Sequence, residues 1–215
     1  MSVHVQGTRR RRHPLAVVML ALSLITPCNG GAATEPPAAA PPGAVVRATV
    51  DAVIAVLGDR AMNDATKRRQ VRSIIGEHFD YAAMSSRVLA TNWSKADADQ
   101  RRRFTALFRQ LLSNTYWRKI SGYSNETVDY TGEHLRAQKL ATVNTVIRTD
   151  TADIPVDYKL YLREGRWMAY DVVIEQISLV RNYRASFHDI VHKSGIDGLI
   201  TELETKVAES SAIAQ

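Results

Sequence analysis

The segment His188-Asp189-Ile190-Val191-His192 has the spacing of a metal site. On a helix, residues four apart share a face. The zinc-binding H-E-x-x-H helix uses that spacing to present two ligands, with the glutamate as general base. Here Asp189 would stand in for the base, and its side chain is one methylene shorter. A third ligand is also needed, and His78 and His134 are the other candidates downstream of the N-terminal segment. Ile190 and Val191 belong to the apolar stripe of the same helix, which leaves both histidines at its edge beside Lys193. We read His188 and His192 as surface residues, with a metal-dependent hydrolase as the alternative. Nucleophilic chemistry has less to work with. The sequence has no G-x-S-x-G and no glycine-rich phosphate loop, and Ser85/Ser86 and Ser210/Ser211 lack a partner in sequence reach that could act as a general base. We therefore assign no catalytic residue, no metal ligand and no cofactor.

Two charged features have a structural and a functional reading. Asp171 lies inside an apolar strand, where alternation would put it on the solvated face with Val173 and Trp167. Arg181 or Arg184 could pair with it from the following helix. Gln100-Arg101-Arg102-Arg103 opens a helix. It reads as a solvated face, or more sharply as a docking patch for an acidic partner or an anionic headgroup.

The positions of these residues are set by the elements that carry them. The chain has 215 residues and a formal net charge of +6. Residues 1–33 read as a secretory signal peptide: Arg9 to Arg12 form a cationic start, Leu15 to Ile25 a short apolar run, and Gly31/Ala33 suit a signal peptidase. The apolar run is shorter than the roughly 20 residues that cross a bilayer. Cleavage near Ala33 would remove four arginines and no acid, lowering the net charge to +2. The basic balance is thus poor support for a nucleic-acid partner. Cys28, the single cysteine, would leave as well, so the exported chain would hold together without disulfides.

Residues 34–43, rich in Pro and Ala, read as an extended linker. From 44 to 123 the period is helical. Val46, Val50, Val53, Ile54 and Leu57 share one face, and Val71, Ile74, Ile75 and Phe79 mark a second helix, bent near Gly76. Met84, Val88 and Leu89 face inward on a short third. Phe104, Leu107, Phe108, Leu111, Leu112 and Tyr116 line a long fourth, with Ser94 as its expected N-cap. From 127 to 174 the period becomes two, giving "TVDYT", "HLRAQ", "ATVNTVIR", "IPVDYKLYL" and "WMAYDVVI" as successive strands with a hairpin turn at 163–166. Val143 and Ile147 share one face, as do Ile154, Val156, Tyr158, Leu160 and Leu162. From 177 to 210 the chain is helical again, with a break at Ser194-Gly195 and Asp197 as N-cap of the last helix. Helices, a meander and closing helices give an α+β class, a twisted antiparallel sheet packed with helices.

The junction "YDVVIEQISLVRNYRASF", 170–187, runs from strand pattern to helix pattern with no Gly or Pro between. It is dense in apolar and aromatic residues. An ordinary core and a hollow shaped for an apolar ligand are both consistent with that content.

"WMAYDVVIEQISLVRNYRASF" (167–187) with "GIDGLI" (195–200), "FDYAAMSSRVLATNW" (79–93) and "FTALFRQLLSNTY" (104–116) together resemble the MlaC family, over roughly residues 44–207. The family often has Gly where this chain has Gln176. The resemblance implies a non-enzymatic periplasmic carrier of diacyl phospholipid, linked to outer-membrane lipid asymmetry and toluene tolerance. Its implied partners are an outer-membrane lipoprotein complex and an inner-membrane ABC transporter with an MCE subunit. A hopanoid-associated branch is a further possibility within the same resemblance. It also implies an apolar lipid cavity between sheet and helices within a domain spanning 44–210. The residues expected to line that cavity are Met84, Val88, Phe104, Leu107, Phe108, Leu111, Val143, Ile147, Val156, Tyr158, Leu160, Tyr170, Val172, Ile174, Leu179, Tyr183 and Phe187.

Overall fold

The computed structural model describes residues 40–122 and 126–212. The expected signal peptide, and most of the expected linker, lie outside the described residues. Helix α1 spans Pro42–Gly58, beginning two residues earlier than the sequence predicts. Pro42 takes the first helical position, where the absent N–H costs nothing and the fixed φ favours the helix. Helix α2, Asp64–His78, is capped by the Asn63 side chain, which accepts from the Thr66 N–H at 2.9 Å. It runs unbroken through Gly76, contrary to the expected bend. A Cβ at Gly76 would lie 2.9 Å from Arg109 Nη2, so the glycine makes room for that guanidinium.

Helix α3, Tyr81–Leu89, and the single turn α4, Thr91–Lys95, meet at Ala90, whose φ of 51° sets the bend. Helix α5, Ala98–Ile120, is capped by Asp97 rather than by Ser94. The Gln100 N–H donates to Asp97 Oδ1 at 2.8 Å and the Asp97 N–H to Gln100 Oε1 at 3.1 Å, a reciprocal capping box. Ser94 belongs to α4.

Strands β1 (Thr127–Arg136), β2 (Leu140–Arg148), β3 (Asp153–Arg163), β4 (Arg166–Ile174) and β5 (Ile177–Ser178) form one antiparallel meander in that order. "TVDYT" and the start of "HLRAQ" are one strand, β1, with a register shift between Tyr130 and Gly132. The expected hairpin at 163–166 is present, with Glu164 and Gly165 both at positive φ. Two further turns of the same hand were not legible, Ala137-Gln138, with φ of 49° and 53°, which ends β1 inside the expected strand "HLRAQ", and Glu175-Gln176. Glu175 and Gln176 have φ of 48° and 67°, so the chain reverses after Ile174 and β5 pairs back on β4. The strand therefore does not run straight into the helix, and Ile177 is 59 % exposed.

Helix α6 spans Leu179–Ala212 and is bent at Gly195, which has φ 69°. Gly195 is non-helical in ψ as well, at −172°, so the expected break at Ser194-Gly195 is present as a kink between two helical stretches. Helices α5 and α6 pack closely against each other, with α3 beside them. Backbone approaches between helices and sheet are sparser. They fall mainly on β4, next to α2, α3 and α6, and on β1 and β2 beside α1. The two layers are joined chiefly through side chains. Among the described residues no helix is long and apolar enough to cross a membrane.

Candidate functional site

The apolar interior between the layers is the candidate site, and register explains its composition. Pairing of β2 with β3 sets Ala141 opposite Leu160, Val143 opposite Tyr158, Thr145 opposite Val156 and Ile147 opposite Ile154. Because side chains alternate along a strand, this yields one apolar face. On β4, Ile174 and Val172 stand opposite Val156 and Tyr158, and then the register shifts, so that Ala169 and Trp167 stand opposite Leu160 and Leu162.

That shift has a direct consequence. Tyr170 is the extra residue of the bulge, and it leaves the face that Val172 and Ile174 occupy. Its ring centroid lies 6.1 Å from that of Tyr161, and the Arg87 guanidinium sits 4.3 Å over it. The expected place of Tyr170 in the interior is therefore corrected. Trp167, expected on the solvated side, is buried on the apolar one.

The other expected lining residues fall in two clusters. Met84, Val88, Phe104, Phe108, Val156, Val172, Leu179 and Phe187 are buried together, with Leu107, Leu111, Ile147, Tyr158, Ile174 and Tyr183 packed against them. Phe108 lies at its aromatic centre, with ring centroids of Tyr183 at 5.1 Å, Phe104 at 5.7 Å and Phe187 at 6.1 Å. Leu199, Ile200 and Leu203 of α6 complete this cluster. They are not among the residues expected to line the cavity. Val143 and Leu160 belong to a second cluster with Val46, Ala141, Trp167 and Ala169, closed by α1. Phe79 and Tyr158 border both clusters, so the interior has a seam between them.

Polar groups at the seam are few. Burial, and then the nearby Tyr130, push the Tyr158 phenol up to about 12, so its hydroxyl stays neutral at physiological pH. The Tyr130 hydroxyl is buried without a hydrogen-bond partner among the described residues, beneath an Arg47 guanidinium 3.7 Å over its ring.

Two carboxylates fix the layers at the edges of this interior. Asp80 caps α3 by accepting from the Ala83 N–H at 2.8 Å, and it also accepts from the Tyr161 hydroxyl and from Arg163 at 3.1 Å. Burial acts to raise its pKa. The donors Tyr161, Ala83 N–H and Arg163 outweigh that, and the net shift is downward. A carboxyl whose folded pKa lies below its unfolded value stabilises the protein above about pH 4, and that contribution is lost as pH falls through the folded value. Asp80→Ala is expected to cost about 2–4 kcal/mol at pH 7. Urea unfolding at pH 7 and pH 3 checks this; the gap between wild type and variant should narrow at the lower pH.

Asp171 is the second anchor, and its partners differ from those expected. It is 4 % exposed and accepts from Ser178 Oγ at 2.7 Å and the Val180 N–H at 3.1 Å, with Lys159 Nζ 3.5 Å away. Arg184 instead donates to the Arg87 carbonyl. Asp171 thus ties the start of α6 to the sheet.

His188 and His192 lie exposed on α6. Among the described residues, no group of three or more His, Cys, Asp or Glu is placed to hold a metal ion.

Fold and interior together define the class: an α+β domain whose helices cover the apolar face of a five-stranded antiparallel sheet. The chain belongs to the MlaC protein family, whose model matches residues 47–205. It is 24 % identical over 147 residues to the intermembrane phospholipid transport system binding protein MlaC of Haemophilus influenzae, covering 66 % of this chain and 69 % of that protein. It is 25 % identical over 126 residues to the toluene tolerance protein ttg2D of Pseudomonas putida, covering 58 % of this chain and 59 % of that one. Among solved structures, it is similar to the phospholipid-binding protein from Ralstonia solanacearum in complex with a phospholipid. The TM-score is 0.74 at 25 % identity, over 80 % of this chain and 99 % of the other.

Proposed function

We propose that this protein is a periplasmic phospholipid carrier, exported by a cleavable signal peptide. It shuttles diacyl lipid between an outer-membrane lipoprotein complex and an inner-membrane ABC transporter with an MCE subunit. The observation that carries this reading is the continuous apolar face of β2, β3 and β4 beneath the helical layer, in a chain whose solved relative is described in complex with a phospholipid. The acyl tails lie along the seam bordered by Phe79 and Tyr158, between the two apolar clusters. Residues of both clusters, from Met84, Phe108 and Val172 on one side to Val143 and Leu160 on the other, form its walls.

The energetics suit a carrier. Two tails with about 30 methylenes at ~0.8 kcal/mol each are worth ~24 kcal/mol against water. This exceeds the practical affinity ceiling of roughly 18–21 kcal/mol, so water is the wrong reference. The donor bilayer already hides the tails, and the interior has only to match it. Loading then requires the helical layer to part from the sheet.

The test is solvent extraction and mass spectrometry of the mature protein purified from its native envelope. Phospholipid near one molecule per chain is the expected result. Hopanoid in its place would redirect the reading to another lipid. Folded protein that yields no lipid from any preparation would overturn it.

A further inference from the structure

The three arginines of the α5 entrance are not absorbed by lipid carriage. An open hollow of about 380 Å³ lies where α3 and α4 meet the first turns of α5. It is lined by the small residues Ala82, Thr105 and Ala106, by Tyr81 and Trp93, and by Arg101, Arg102 and Arg109. Two of these guanidinium groups are held in place by the aromatic residues. Arg101 sits 5.5 Å over the Trp93 ring while its Nε donates to the Trp93 carbonyl at 2.9 Å. Arg109 sits 5.2 Å over Tyr81, in the space left by Gly76. Arg72 adjoins them, and its pKa is lowered by burial and then by its cationic neighbours Arg68 and Arg109. Among the described residues, Arg102 alone of these five has a carboxylate partner, Asp99. Several fixed cations around an apolar hollow, left without counter-charges by the described residues, are complementary to an anion with an apolar centre.

We propose that this hollow is a docking site for an acidic segment of a partner protein, in which an aromatic or aliphatic side chain enters the hollow and flanking carboxylates meet Arg101 and Arg109. The inference rests on the carrier reading, since a carrier must dock to its donor and acceptor. The pattern of charge decides between a protein and a membrane surface. Asp97 and Asp99, exposed at the start of α5, would be set against a continuous anionic surface. They leave a discrete acidic segment room to approach the arginines.

The experiment uses the mature protein and a fluorescein-labelled peptide, Glu-Asp-Glu-Trp-Glu-Asp-Glu, followed by anisotropy. Binding with Kd on the order of 10–100 μM is expected, weakened about tenfold by Arg101→Glu/Arg109→Glu and by raising salt to about 0.5 M. Replacing the peptide's Trp by Ser should also weaken it, and Asp99→Asn, which frees Arg102, should tighten it. Arg101→Gln/Arg109→Gln serves in case the charge-reversed variant misfolds, with circular dichroism as the check. Equal binding by folded wild-type and variant protein would overturn the proposal, as would no binding at all. So would arginine-dependent binding to phosphatidylglycerol vesicles in place of the peptide. Lipid content, measured in the same samples, separates the two readings. Lipid-loaded protein that ignores the peptide removes the docking site alone, and lipid-free protein that binds it removes the carrier alone.

Discussion

Asp171→Ala should destabilise the protein by about 3–5 kcal/mol, because it strips the acceptor from two buried donors and the counter-charge from Lys159. The Ser178 hydroxyl would keep only the Arg181 N–H that it accepts, and its own proton and the Val180 N–H would lie buried without an acceptor at the point where β5 passes into α6. For a domain of this size the melting temperature should fall by roughly 8–16 °C. Asp171→Asn retains one acceptor oxygen and should cost about half as much. Guanidinium unfolding of lipid-free protein checks both. A variant within about 1 kcal/mol of wild type would mean that the α6 start is held by its apolar residues, Leu179 and Val180, and not by this carboxylate.

Phe108→Ala is the second large effect. The ring is fully buried and joins α5 to α6 through Tyr183 and Phe187. Its removal should cost about 3–5 kcal/mol in lipid-free protein, through lost apolar contact and the cavity left behind. In loaded protein the cost should be smaller, because an acyl tail along the seam can fill part of the space and binding to the native state adds stability. Thermal unfolding of both variants, delipidated and loaded, provides the comparison. Equal losses in the two states would place the tails away from Phe108.

Much of this architecture was legible because burial leaves a period in the sequence. The stripe Phe104, Leu107, Phe108, Leu111 revealed α5, and the alternation Ile154, Val156, Tyr158, Leu160, Leu162 revealed the inner face of β3. What stayed hidden has little signature in composition. The bulge at Tyr170 moves one residue off the face and carries Trp167 and Ala169 onto it, although simple alternation predicts the opposite for all three. The shift between Tyr130 and Gly132 likewise joins two apparent strands into one. The turn at Glu175-Gln176 uses two non-glycine residues at positive φ, a conformation that local sequence disfavours and that pairing of β5 with β4 maintains. Asp97 caps α5 in place of Ser94 because Gln100 stands three residues on and completes a reciprocal pair of hydrogen bonds.

The outer edge of β1 has a consequence for how the molecule behaves in a crowd. An unpaired strand edge invites another chain to add to it, and a protein that must expose apolar surface while it works would be endangered by such a template. Here the register break beyond Tyr130 interrupts the strand, Asp129, Glu133 and Arg136 place charge along it, and Glu133 draws the Gly43 N–H at the start of α1 to it at 2.7 Å. The edge is thereby poorly suited to strand addition by neighbouring copies.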